Sequence, residues 1–223
     1  NGGWLKLSQE TFQRGLQGNT WISLDWKEFD MRFYFSLHRK IRAKIRTYFT
    51  FTEGYIPSGE RYSEQKMKHE ASIIDSTRTV PQSTRLERLW NYVTDAVENT
   101  PCILPSGRVY KRRFAGQPSG IFTTQYTDSY YNGVMCFTTL SEMGHNPDLE
   151  LFFKTMGDDI IFLLMCLVPP DQHDDWIATF TAISRRRFNA IVSIKKTKIG
   201  NGIHRASILS YINTKHTCLL YTS

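Results

Sequence analysis

Two apolar runs divided by a polar turn dominate the hydrophobic pattern of the chain. Residues 149–168 read LELFFKTMGDDIIFLLMCLV, with Phe152 and Phe153 before the break and nine uninterrupted apolar residues, Ile160 to Val168, after it. Short apolar runs on either side of a Gly-Asp signal predict a β-hairpin with Met156-Gly157-Asp158-Asp159 at its tip. A second periodicity sets Phe29, Phe33, Leu37, Ile41, Ile45 and Phe49 four residues apart, a helical stripe. Arg39, Lys40, Arg42, Lys44 and Arg46 fill the positions between and form a basic face, either solvated or touching phosphates.

The remaining elements follow from weaker signals. Trp21 to Leu24 is a short β-prone run ending at Asp25, and residues 4–17 are weakly helical. Residues 52–83 are polar and punctuated by Gly54, Pro57, Gly59 and Pro81, an excursion with at most short helices. Thr84-Arg-Leu-Glu87 has capping-box spacing, and Leu86, Leu89, Trp90, Val93 and Val97 carry a helix to about Glu98. Arg108 to Phe114 is a short basic strand. Gly116-Gln-Pro-Ser-Gly120 is a loop with an unusual backbone path, and a helix follows within Ile121 to Met143. A further helix spans Asp171 to Arg186, and Ala190 to Ile194 is a strand leading into Lys195, Lys196 and Lys198. Ile208 to Tyr211 is a last candidate strand. This order predicts an α+β fold with a mostly antiparallel sheet.

Composition adds a preference for partners. The 223 residues carry a formal net charge of +7, which favours polyanions such as nucleic acid. Four widely spaced cysteines, Cys102, Cys136, Cys166 and Cys218, lack C-x-x-C spacing and read as thiols of a reducing compartment. The longest apolar run is too short to span a bilayer, so the expectation is a soluble, cytoplasmic protein with no membrane partner.

Candidate chemistry sits at three places in a fixed order. Asp25 and Asp30 stand five residues apart after a strand. Ser119, Thr124, Asp128 and Asn132 gather small hydrogen-bonding side chains along one stripe of a helix and its entry loop, where such residues compete with the backbone. Asp158 and Asp159 stand at the tip of a hairpin whose arms should be buried. Taken alone, the Gly-Asp-Asp turn reads as readily as an ordinary hairpin with solvated carboxylates. Acids beside a core nevertheless call for a neutralising partner, and a divalent cation supplies one.

The order Asp25-x4-Asp30, Ser119-Gly120-x3-Thr124-x3-Asp128-Ser129-x2-Asn132, Gly157-Asp158-Asp159 resembles motifs A, B and C of the palm of viral RNA-dependent RNA polymerases. The Gly-x-Pro-Ser-Gly and Asp-Ser-x-x-Asn forms are most similar to those of double-stranded RNA viruses of the partitivirus group. Phe188 to Thr197 resembles the next motif, with Lys196 at its lysine, and Ile208-Leu-Ser-Tyr211 is a faint match to motif E, with Ser210 where Gly is usual. The resemblance covers about residues 20 to 215. It implies a palm with part of the fingers: palm at 1–50, a fingers excursion at 51–105, and palm again at 106–216. It also implies template-directed RNA synthesis with two Mg²⁺ or Mn²⁺ ions. Asp25 and Asp158 would bridge the ions and Asp159 would be an outer ligand. Asp30, Ser119, Gly120 and Thr124 would bind the nucleotide, and Asp128 or Asn132 would read its ribose. Lys196 would be the general acid toward pyrophosphate. The implied partners are an RNA template and nascent strand, ribonucleoside triphosphates and viral capsid protein, within virus particles in the host cytoplasm.

Two further expectations concern the ends. The family's upstream triphosphate-gripping basic motif and a thumb are missing, as in a fragment, and residues 217–223 resemble a translated sequencing-adapter end. Two other readings compete. A reverse transcriptase usually carries an aromatic in place of the second motif A acid and an aromatic-x-Asp-Asp turn, which Asp30 and Gly157 do not match. A non-catalytic basic RNA-binding protein leaves the three acid sites unexplained.

Overall fold

The apolar run after the Gly-Asp turn is the spine of a sheet. The computed structural model describes residues 20–49, 82–118, 123–201, 207–208, 211–214 and 217–220. They divide between two compact units, residues 1–34 with 116–223, and residues 35–115. The first unit contains β1 (Thr20–Leu24), β2 (Trp26–Lys27), α1 (Phe29–Arg32) and, further along, α4 (Thr124–Glu142) and α5 (Pro147–Glu150). The hairpin follows as β5 (Leu151–Met156) and β6 (Asp159–Leu164). Next come α6 (His173–Phe188), β7 (Ile191–Val192), β8 (Lys198–Asn201), β9 (Ser207–Ile208), β10 (Tyr211–Thr214) and β11 (Thr217–Leu220). The second unit holds α2 (Phe35–Arg46), α3 (Gln82–Asn99), β3 (Cys102–Ile103) and β4 (Val109–Tyr110).

In the first unit β5, β6, β1 and β8 form one sheet in that order, antiparallel throughout. Ile160 to Leu164 are at most 1 % exposed, so β6 is covered on both faces, as an unbroken apolar run requires. Cross-strand partners share a face, and Ile22 stands opposite Phe162, which stands opposite Phe153. On that face Phe162 packs 6.2 Å from the rings of Trp176 and Phe180 of α6. Phe153 meets Phe137 of α4 edge-on at 4.7 Å. Burial of each such side chain stabilises the fold by roughly 1.5–3 kcal/mol. On β8, a Cβ at Gly200 would lie 3.0 Å from the Trp21 indole, so a larger residue there would have to displace the ring.

The hairpin, the α4 and α6 helices and the antiparallel α+β architecture agree with the sequence pattern. Three details differ. The expected stripe from Phe29 to Phe49 is two helices, because Phe33 takes an extended backbone (φ −70°, ψ 98°) between α1 and α2. Tyr131 enforces the break: its hydroxyl accepts the Tyr34 N–H at 3.1 Å and its ring stacks on Phe33 at 4.1 Å. The buried side of α2 is therefore Phe35, His38, Ile41, Arg42 and Ile45, with Phe49 exposed. The α3 helix begins at Gln82, which places Thr84 inside its first turn rather than at a cap.

The basic face of α2 is the third difference, since its arginines have internal partners within the second unit. Arg39 pairs with Glu98, Arg46 with Glu87, and Arg42, 4 % exposed, stacks 4.4 Å over Trp90 and donates to Thr94. Lys40 and Lys44 remain exposed. Ser119 and Gly120 lie outside the described residues, as do residues 1–19 and 50–81 and the Leu209 and Ser210 of the motif E match. Of the 217–223 tail, Thr217–Leu220 forms β11 and pairs with β10. Among the described residues no helix is long and apolar enough to cross a membrane.

Candidate active site

Register alone brings two of the acids together. The β1–β6 pairing ends at Leu24 opposite Ile160. The next residues outward on the two strands are Asp25 and Asp159, so neighbouring strand ends deliver adjacent carboxylates. Asp159 is half-buried, and its carboxyl is held above the usual carboxylate range by burial first, then by the charges of Asp158 and Asp25, against the opposing pull of Lys196. Asp158 itself is exposed at the turn.

The turn is a two-residue one, with Met156 paired to Asp159. Gly157 has φ +68° while Asp158 does not have a positive φ, the pattern of a type II′ hairpin with glycine at its first central position. Two side chains of α4 fasten it. The Ser129 hydroxyl accepts the Gly157 N–H at 2.8 Å. The Asn132 amide donates to the carbonyls of Asp158 at 2.8 Å and Gly157 at 3.2 Å. Asn132 accepts in turn from the Trp26 indole N–H at 2.9 Å and is fully buried. Its amide is thus engaged in holding the turn, which leaves Asp128 as the member of that pair with capacity for a ligand.

Asp25 is fixed by the segment that carries Lys196. The Ser193 N–H donates to the Asp25 carbonyl at 2.7 Å, and the Asp25 N–H donates to the Thr197 hydroxyl at 3.4 Å. The Lys196 ammonium lies 3.5 Å from the Asp25 carboxylate, with the lysine side chain 73 % exposed. Such a pair contributes little to stability, so Lys196 is held near the acids without being locked there.

Asp30 and Asp128 form the other side of the cluster. Asp128 is 4 % exposed, one of its carboxyl oxygens has no hydrogen-bond partner among the described residues, and its pKa is pushed up to about 7 by burial and then by the charges of Asp30 and Asp158. The α1 helix that carries Asp30 is entered through Glu28 in the left-handed region (φ 54°) and is braced by Phe29 edge-on to Tyr131. The Thr124 hydroxyl donates to the Pro118 carbonyl at 3.0 Å and closes the entry loop onto the start of α4.

The structure therefore links five aspartates through neighbouring charges, Asp30 and Asp158 acting on Asp128, and Asp158 and Asp25 acting on Asp159, with Lys196 beside Asp25. Sequence reasoning overlooked Trp26, Ser129 as a brace, Tyr131 and Gln117. The spacing of Ser129 and Asn132, three apart on one helix face, was the available signal for the brace. Carboxylate oxygens without thiolate or imidazole are the donors a hard divalent cation takes, and such a cation would relieve their repulsion. The donor set fits on those grounds, although among the described residues no three Asp, Glu, His or Cys side chains already converge on one point.

Comparison with known proteins agrees with the motif order. The chain is 40% identical over 212 residues, 95% of its length, to the RNA-directed RNA polymerase of White clover cryptic virus 1. It is 26% identical over 210 residues, 87% of its length, to the RNA-directed RNA polymerase of Atkinsonella hypoxylon virus. The chain spans about a third of the length of these relatives, 32% and 31%. No protein-family model matches it.

Proposed function

We propose that this chain, whose curated relatives are viral RNA-directed RNA polymerases, is the catalytic palm of such an enzyme with part of its fingers, and that it synthesises RNA by two-metal nucleotidyl transfer. The observation that carries the proposal is the β1–β6 register, which supports Asp25 and Asp159 as neighbours beside the braced Asp158. Asp25, Asp158 and Asp159 would hold Mg²⁺ or Mn²⁺. Two such ions supply charge stabilisation for the attacking 3′-oxygen and the leaving pyrophosphate. The protein's own part is to hold the carboxylates apart on separate elements, to keep the turn from yielding, and to present a proton. Lys196 is the candidate for that proton.

Ribonucleotide choice is assigned to Asp30, Thr124 and Asp128, with Ser119 and Gly120 from the entry loop. The partners are RNA template, nascent strand and ribonucleoside triphosphates, and a net charge of +7 suits such polyanions. We extend the reading to a double-stranded RNA virus of partitivirus type, working inside particles in the host cytoplasm beside capsid protein. The test is RNA synthesis by a polymerase that carries this chain whole. Asp25→Ala and Asp158→Ala should each lower Mg²⁺-dependent primer extension by at least roughly 10³-fold with the fold intact, and Asp159→Asn should cost less. Wild-type rates in either alanine variant remove the residue from catalysis.

A further inference from the structure

Gln117 is the least satisfied side chain near the acids. It is 5 % exposed, and among the described residues neither its amide nitrogen nor its amide oxygen has a hydrogen-bond partner. A buried amide in that state costs several hydrogen bonds' worth of desolvation, and native folds rarely tolerate it without a reason. Its position is well fixed: the Gln117 N–H donates to the Asp30 carbonyl at 2.7 Å, and the preceding Gly116 N–H donates to the Phe33 carbonyl at 3.0 Å. The second unpartnered buried group of this region, on Asp128, is tied to the same residue through the charge of Asp30.

We propose that Gln117 is a specificity-determining residue that hydrogen-bonds the ribose hydroxyls of the incoming nucleotide. This rests on the polymerase reading. The chemistry selects the ligand class. An ionised carboxylate only accepts and a protonated carboxyl also donates, so a group lodged beside Asp30 and the raised carboxyl of Asp128 is one that can both donate and accept, and phosphate is repelled there. A hydroxyl donates to a carboxylate and still accepts from an amide N–H, which an amide that both donates and accepts complements. A vicinal diol offers that twice on one ring. A site of this kind rejects the analogue lacking the hydroxyl because its own polar groups are then left unpaired.

The test uses Gln117→Met, which keeps length and volume and removes the amide. In the 223-residue chain its melting temperature should equal or exceed that of wild type, because the amide has no partner to lose. In a polymerase carrying the chain whole, single-nucleotide incorporation should show the ribo-to-2′-deoxyribonucleotide preference falling by about tenfold. A clear drop in melting temperature would mean that the amide serves the fold, and an unchanged preference would mean that it does not read the sugar; either overturns the proposal and leaves the polymerase reading standing. If the wild-type enzyme shows no Asp158-dependent incorporation at all, the polymerase reading fails and this inference fails with it.

Discussion

The second unit and the acid cluster of the first treat their charged groups in opposite ways. In the second, buried and half-buried charges are answered from within: Glu98 accepts from Arg39 and contacts His38, while Arg42 lies over Trp90 and donates to Thr94. In the acid cluster of the first, five aspartates stand with one exposed lysine, and two of them, Asp128 and Asp159, have carboxyls pushed upward by burial and by the charges of neighbouring aspartates. Closure of the charge balance by the protein's own residues marks a structural ion-pair network. A balance left open beside well-braced backbone marks a place prepared for something that is not protein. The prediction that follows is a difference of sign. Neutralising an acid should weaken the second unit, whereas neutralising Asp128 should strengthen the first.

The brace around the acids sets the largest effect on folding. Replacing Asn132 by Ala strips partners from the Trp26 indole and from two carbonyls of the turn, of which the indole and the Gly157 carbonyl are buried. The expected loss is roughly 3 kcal/mol, from groups left buried and unsatisfied. It would be measured as a shift of the urea midpoint of the 223-residue chain. Ser129→Ala, which removes one hydrogen bond at a partly exposed site, should cost roughly 1 kcal/mol. A smaller loss in the asparagine variant than in the serine variant would show that the turn does not depend on Asn132.

Asp128 supplies the comparison's opposite arm. Its pKa in the fold is pushed up to about 7, above the ordinary carboxyl value of 3.8. A raised carboxyl binds its proton more tightly in the fold than in the unfolded chain. Its favourable contribution is therefore full below about pH 3.8 and is lost as the pH rises through about 7. Asp128→Asn removes that loss, so the variant should be more stable than wild type at pH 8 by roughly 2–4 kcal/mol, with the gap closing toward pH 4. Equal stabilities at both pH values would show that the site is wetter than its burial implies.

These arms also show what could be read from the residues beforehand. The hairpin was legible because everything that defines it is local: an apolar run, a glycine at the first turn position and a partner strand two residues away. The order of acid sites pointed to their convergence only through its resemblance to a polymerase palm. The break at Phe33 was not legible, because the agent is Tyr131, some 97 residues distant. The role of Asn132 was hidden likewise by Trp26, at a separation of 106. The basic face of α2 looked available because Glu87 and Glu98, which occupy it, lie 41 and 59 residues further on. Periodicity reports which way a side chain faces and is silent about who meets it there.

The smallest effect belongs to the closed network, and there the pH dependence runs the other way. Burial holds the His38 imidazole below its ordinary value of 6.5, with the hydrogen bond to Glu98 opposing. A depressed imidazole takes its proton later in the fold than in the unfolded chain, so the stability of neutral His38 is present above about pH 6.5 and is lost as the pH falls. Replacing Glu98 by Gln weakens its hold on Arg39, a largely exposed partner, and removes the carboxylate that favours imidazolium. The first change is modest because solvent screens the guanidinium. The second deepens the acid loss, since His38 then resists protonation further. Glu98→Gln should therefore lower stability by roughly 1 kcal/mol at pH 7.5 and by more at pH 5.5, read from urea midpoints at the two pH values. A gap that stays constant or narrows toward pH 5.5 would mean that Glu98 and His38 are not coupled, and the second unit would no longer stand as the closed half of the comparison.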